Sequence, residues 1–249
     1  MVTSSNPGAD MSSKSISSAL SAVARLRIAF GHQSVGANIL QGIEALQADD
    51  ATTALRMVEA SGDSGPTRAG IFHAKIGVNG DPLSKLSAFR SLVAATNPNI
   101  AMMKFCFLDV SDRLSAREML DSYGQAMAEI RDGSPGLTIV HATIPLTDDG
   151  NWKERLVKRV KRRPTARRLN TERMRYNALL LERFRGKEPV FDIALVESTR
   201  LDGTRASVPS AQGETYFLAP EFTYDGGHLN ATGSRIAAAH LLRLLADIS

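Results

Sequence analysis

Positions 100–110 read Ile-Ala-Met-Met-Lys-Phe-Cys-Phe-Leu-Asp-Val, apolar apart from Lys104 and Asp109. A run this short cannot span a bilayer, which takes about 20 apolar residues. Its lack of alternation fits a strand covered on both faces, the situation of a central strand in a parallel sheet. A second such run lies at 137–144 and stops at Pro145. Leu26, Ile28 and Phe30 alternate with Arg27 and Ala29 as a first strand would, and shorter strand-like pieces follow at 55–60, 71–77 and 190–196. Between them the apolar residues recur at helical spacing. Val35, Ile39, Ile43 and Leu46 form one stripe, and Leu83, Leu86, Phe89, Leu92 and Val93 another. Met119, Leu120, Tyr123 and Met127 mark a helix over 115–130; 153–184 reads as helical with a break at Pro164; Ile236, His240, Leu241, Leu244, Leu245 and Ile248 mark the last helix. Strands alternating with helices predict a parallel sheet between helical layers. Ligands of such sheets bind beyond the carboxyl ends of the strands.

At 249 residues the chain has room for one domain with a sizeable core, assigned here to 19–249. Residues 1–18 are rich in Ser and have no apolar centre, so they read as a disordered leader rather than a signal peptide. The compartment stays open, leaning to the cytoplasm, or to the periplasm if an export leader has been removed. The single cysteine, Cys106, excludes an intrachain disulfide and a cysteine metal cluster. No His, Asp or Glu spacing suggests a metal site.

The chemistry concentrates at two places. In Ile28-Ala29-Phe30-Gly31-His32-Gln33-Ser34-Val35-Gly36-Ala37-Asn38-Ile39 a strand pattern passes through a tight turn into a helix, with Ser34 at the turn. That position exposes a hydroxyl and aims the first N–H groups of the helix at whatever the hydroxyl meets. Ser34 could equally be a plain helix cap. The second place is Asp225-Gly226-Gly227-His228-Leu229-Asn230, just before the last helix. A serine needs a base, and the base needs an acid that fixes its tautomer. Asp225 and His228, three apart across two glycines, can supply both.

These residues resemble the SGNH/GDSL hydrolases. Ser34 corresponds to the family's nucleophile, with Gly-His-Gln-Ser in place of Gly-Asp-Ser. Gly80, in Gly77-Val78-Asn79-Gly80-Asp81, corresponds to the glycine whose N–H donates to the oxyanion. Asp225 and His228 match the closing Asp-x-x-His, and Arg175-Tyr176-Asn177-Ala178-Leu179-Leu180 resembles a helix found before the last strand. The likeness runs from about Leu26 to Ile248. It implies a three-layer α/β/α, flavodoxin-like fold with about five parallel strands. It also implies a cofactor-free serine esterase working through an acyl-enzyme, with Ser34, Asp225 and His228 catalytic and the N–H groups of Ser34 and Gly80 in the oxyanion hole. One block departs: the Gly-x-Asn-Asp asparagine, a side-chain oxyanion donor, is missing from the 103–109 stretch. Asn79 is the first candidate to replace it and Lys104 the second.

The polar loops favour a small acyl group, such as acetyl, on a polar or saccharide carrier. An acyltransferase on the same triad, or a binding protein whose activity has decayed, are the alternatives. His32, Lys104 and Trp152 are candidate substrate contacts, whereas His73, His141 and His240 are assigned to structure. Gly62-Asp63-Ser64 spells the family's nucleophile block literally but lacks a following helix and lies too close to Gly80. The basic stretch 153–168 reads as a solvated excursion or as a contact for an acidic partner. With Trp152 the only aromatic near it, nucleic acid is disfavoured.

Overall fold

The structure is a computed structural model that describes residues 15–49, 54–60, 68–110, 114–150, 164–211 and 213–248. In chain order its elements are α1 (Ile16–Val23), β1 (Arg27–His32), α2 (Ser34–Asp49), β2 (Met57–Glu59), β3 (Gly70–Lys75), α3 (Pro82–Thr96), β4 (Ile100–Met103) and α4 (Ala116–Asp132). There follow β5 (Thr138–Ala142), α5 (Ala166–Phe184), β6 (Val190–Phe191), α6 (Ile193–Ser198), β7 (Ser207–Ser210), β8 (Gly213–Tyr216), a 3₁₀ turn (Pro220–Phe222) and α7 (Ala231–Ile248).

The strands pair in the order β2-β3-β1-β4-β5-β6, all parallel. The sheet therefore has six strands rather than five, with the short β2 at one edge. Side chains alternate across it. Ile28 and Phe30 of β1 join Val35 and Ile39 of α2 and Leu241 and Leu245 of α7 in one core. Ala29 faces the opposite core, with Phe89 of α3, Met127 of α4 and Leu180 of α5. This is the expected three-layer α/β/α arrangement.

Local chemistry sets the ends of the helices. Asp81 caps α3 ahead of Pro82, and Asn97 closes it in the left-handed region. Ser115 and Glu118 form a reciprocal capping box on α4.

Several expected elements differ. The apolar run at 100–110 is a strand only through Met103. Beyond it the Lys104 N–H still reaches the Gly31 carbonyl, but the Cys106 N–H turns to the Asp109 carboxylate. Phe105 and Cys106 are apolar because they are buried, not because they are extended, whereas Leu108 is exposed. The stretch 190–196 pairs only at Val190 and Phe191; Asp192 then accepts the Leu195 N–H and starts α6. The 199–225 connection contains the antiparallel β7–β8 hairpin, which packs on α5. Helix α1 begins inside the stretch read as a leader, and its Ala19, Leu20 and Val23 sit in the core with α2 and α7. Among the described residues, no helix is long and apolar enough to cross a membrane.

Candidate active site

Ser34 opens α2, with only Gln33 between it and the end of β1. The turn is tight because α2 starts directly over the last strand residue. A Cβ on Gly36 would lie 2.3 Å from the His32 Cβ, so only glycine fits there. The Gln33 carbonyl accepts the Ala37 N–H at 3.1 Å, which makes it the first carbonyl of the helix ladder. The N–H groups of Ser34, Val35 and Gly36 precede the first intrahelical bond and give this end its positive character. The Gln33 amide donates to the carbonyls of Ile76 (2.6 Å) and Gly77 (3.1 Å), tying the turn to the loop between β3 and α3.

The second half of the site is the loop 224–228, pinched at its base by a bridge between Thr223 and Leu229. One carboxylate oxygen of Asp225 accepts the N–H groups of Gly227 (2.9 Å) and His228 (2.8 Å). Its other oxygen lies 2.5 Å from His228 Nδ1, and His228 Nε2 lies 2.9 Å from Ser34 Oγ. A carboxylate only accepts, so the imidazole proton is on Nδ1 and Nε2 is free to accept from the hydroxyl. Partial desolvation alone would raise the Asp225 pKa. The hydrogen bonds from the His228 ring and from the His228 and Gly227 N–H groups outweigh it, and hold the carboxyl well below the usual range. The Asp225 and His228 side chains are 55% and 42% exposed, so water reaches the imidazole.

Neighbouring elements steady this loop. Asn38, one turn along α2 from Ser34, accepts the Leu229 N–H at 3.2 Å. The Asp148 N–H donates to the Gly226 carbonyl at 2.8 Å. The Phe107 ring stands edge-on to His228 at 5.9 Å between centroids. Phe107 is held in turn by Arg173, which donates to its carbonyl at 3.0 Å and lies 5.6 Å from its ring centre. Arg173 is itself buried and also donates to Thr147 and Asn170; burial brings its pKa down to about 10. Between Phe107, Leu108, Thr147, Asp148, Leu169 and His228 lies a cleft of about 270 Å³.

The structure thus brings Ser34, Asp225 and His228 together. The other expected residues fare differently. Gly80 lies in the loop that Gln33 holds at Ile76 and Gly77, but its N–H donates to Asp109 at 2.9 Å. Asn79 is exposed, and its side-chain oxygen accepts from Lys85 at 2.9 Å. His32 is buried and is not a substrate contact. Its Nδ1–H donates to the Gln33 carbonyl at 2.9 Å, and its Nε2 meets His73 Nδ1 at 3.1 Å. Burial lowers its pKa to about 4. Lys104 is also sealed from solvent, with its ammonium on the Phe105 carbonyl at 3.4 Å and its pKa lowered by burial to about 8. It cannot touch a bound ester as it stands. Trp152, Gly62-Asp63-Ser64 and residues 153–163 lie outside the described residues. Among the described residues, no group of three or more His, Cys, Asp or Glu could hold a metal ion.

The sequence reading missed Gln33, Asn38, Asp109 and Arg173. Asn38 had a usable signal, since four residues after Ser34 is the same helix face. Asp109 had one too, as a carboxylate inside an apolar run.

No family model matches the sequence, and no curated protein matches it. Solved structures do. A lipase/acylhydrolase from Enterococcus faecalis aligns with a TM-score of 0.55 at 15% identity, over 89% of this chain and 95% of that one. A GDSL-like lipase from Bacteroides thetaiotaomicron aligns with a TM-score of 0.54 at 12% identity, over 90% of this chain and 89% of that one. At such identities the likeness establishes a shared fold. The chain has the α/β fold of the GDSL-like hydrolases.

Proposed function

We propose that this chain is an SGNH/GDSL-type serine esterase that hydrolyses a carboxylic ester through an acyl-enzyme. The observation that carries this reading is the 2.9 Å approach of His228 Nε2 to Ser34 Oγ with Asp225 behind the ring. Ser34 Oγ bonds to the ester carbonyl carbon as its proton passes to His228 Nε2. The tetrahedral oxyanion faces the start of α2, where the Ser34 N–H and the helix dipole favour negative charge. The tetrahedral adduct then collapses, the carbon–oxygen bond to the leaving alcohol breaks, and His228 returns the proton to that oxygen. A water gives a proton to His228 and adds to the acyl carbon; the carbon–Oγ bond then breaks, His228 returns the proton to Ser34 Oγ, and the acid leaves. Asp225 holds the ring and stabilises the imidazolium in both halves.

The finer reading is a small acyl group, such as acetyl, on a polar or saccharide carrier. Its support is the cleft of about 270 Å³, whose Thr147 and Asp148 sit opposite Phe107 and Leu108. The 42% exposure of the His228 side chain lets water reach the acyl-enzyme.

The test is a fluorophosphonate probe followed by peptide mapping, together with p-nitrophenyl acetate, butyrate and palmitate and an acetylated oligosaccharide. A single adduct on Ser34, lost in Ser34→Ala, and turnover of acetyl over palmitoyl esters are expected. An unlabelled Ser34 with no turnover would return the chain to the binding-protein reading. Transfer of acetyl to an added alcohol in place of hydrolysis would identify an acyltransferase.

A further inference from the structure

Where the resemblance calls for an oxyanion-donating asparagine after β4, this chain has a buried ion pair. Asp109 and Lys85 are 1% and 0% exposed. The Lys85 ammonium donates to both Asp109 oxygens, at 2.8 and 2.7 Å. The same carboxylate accepts the Gly80 N–H at 2.9 Å and the Cys106 N–H at 2.7 Å. Lys85 spends a further proton on the Asn79 side-chain oxygen at 2.9 Å. The pair thus clamps the 77–81 turn, the first turns of α3 and the loop after β4 into one block. Burying two charges is costly and gives little net stability even when they are well paired. A block fixed this way contributes geometry.

Two consequences concern the proposed oxyanion hole. First, the Gly80 N–H is directed at Asp109 and is not available to an oxyanion. Its φ of +84° fixes that orientation within the Val78–Asp81 turn, closed by the Asp81 N–H on the Val78 carbonyl. Second, an ammonium only donates, so the Asn79 atom it meets must be the carbonyl oxygen, and the amide NH₂ lies on the other side. Asn79 is exposed, and among the described residues nothing accepts a hydrogen bond from that NH₂. The turn itself is fastened to the residue before Ser34 by the Gln33 amide on Ile76 and Gly77.

We propose that the Asn79 NH₂ is the side-chain oxyanion donor, and that Lys85 and Asp109 are positioning residues that aim it while drawing the Gly80 N–H away. This inference rests on the ester-hydrolase reading. A donor brought in from the β3–α3 loop replaces one that the loop after β4 lacks.

The experiment compares the full-length chain with Asn79→Asp, Asn79→Ala, Lys85→Met and the Asn79→Ala/Lys85→Met double variant, using p-nitrophenyl acetate and thermal melting. Asn79→Asp is the decisive member. It keeps the oxygen that Lys85 binds and suits a turn, but it replaces the donor with a second acceptor. We expect kcat to fall about 100-fold or more in both Asn79 variants, with KM within about three-fold, as for loss of one oxyanion donor. Lys85→Met should lower kcat comparably, and the double variant should be no more than about three-fold below Asn79→Ala. Asn79→Asp turning over within about three-fold of the unaltered chain would overturn the assignment, as would losses that multiply in the double variant. Should Lys85→Met fail to fold, the Asn79→Asp result decides alone. An unaltered chain that neither turns over esters nor labels at Ser34 would overturn the hydrolase reading and this inference with it.

Discussion

Replacing Asp225 by asparagine is isosteric, and the surrounding hydrogen bonds dictate what the new amide must do. The oxygen that now accepts the Gly227 and His228 N–H groups faces two donors, so it must remain an oxygen. The NH₂ is therefore forced to the position 2.5 Å from His228 Nδ1. An NH₂ only donates, so Nδ1 must become an acceptor and the ring proton moves to Nε2. Nε2 then presents a proton to Ser34 Oγ across the same 2.9 Å and cannot take one from it. The expected loss in kcat is about 10⁴-fold, the scale of a wrong-tautomer triad, or about 5.4 kcal/mol at 1.36 kcal/mol per decade. Stability should hardly change. Both side chains are well exposed, and pairs of that kind contribute at most about 1 kcal/mol, a few degrees in Tm for a chain this size. The assay is p-nitrophenyl acetate turnover and the rate of fluorophosphonate labelling at Ser34, with melting run alongside. Turnover within ten-fold of the unaltered chain would refute the reasoning, as would a kcat loss accompanied by a collapse in Tm.

Other perturbations test the scaffold. Gly36→Ala places a methyl 2.3 Å from the His32 Cβ and should cost about 1–3 kcal/mol of stability, read as a lower Tm or urea midpoint. Asn38→Ala removes the acceptor of the Leu229 N–H; a loss of about 1 kcal/mol in holding the His228 loop should lower kcat roughly five-fold with KM nearly unchanged. Acidification should destabilise the fold between pH 6.5 and about 4. Burial holds the His32 pKa at about 4 against 6.5, so in that window the unfolded chain binds a proton that the folded chain refuses. The contribution is about 3 kcal/mol, and the lowered values of His73, His141 and His240 act in the same direction. Urea midpoints at pH 7 and pH 4.5 would check it.

The layer order was legible because apolar runs alternate with helical stripes, and that pattern survives errors of several residues at each boundary. The errors share a cause. Phe105 and Phe107 look like strand residues, yet they are apolar because one packs among Tyr123 and Tyr176 and the other against His228. Periodicity reports burial, and burial does not require extended backbone. In the same way His32 and Lys104 read as substrate contacts because they sit near Ser34 in sequence or sheet position. Nothing in the sequence says that both point inward. Asp225 and His228 were legible because their partnership is local, three positions apart. The clamp of Lys85 and Asp109 was not, because its members are 24 positions apart and acquire meaning only from the turn between them.

Ser34 and His228 are separated by 194 positions, and in the proposed mechanism the hydroxyl needs the imidazole as its base. During translation, at about 5–20 residues per second, some 10–40 s pass after the hydroxyl is made before its base exists. Any esterase activity must therefore arrive abruptly, when the closing helix docks beside α2, and never in a partly synthesised chain.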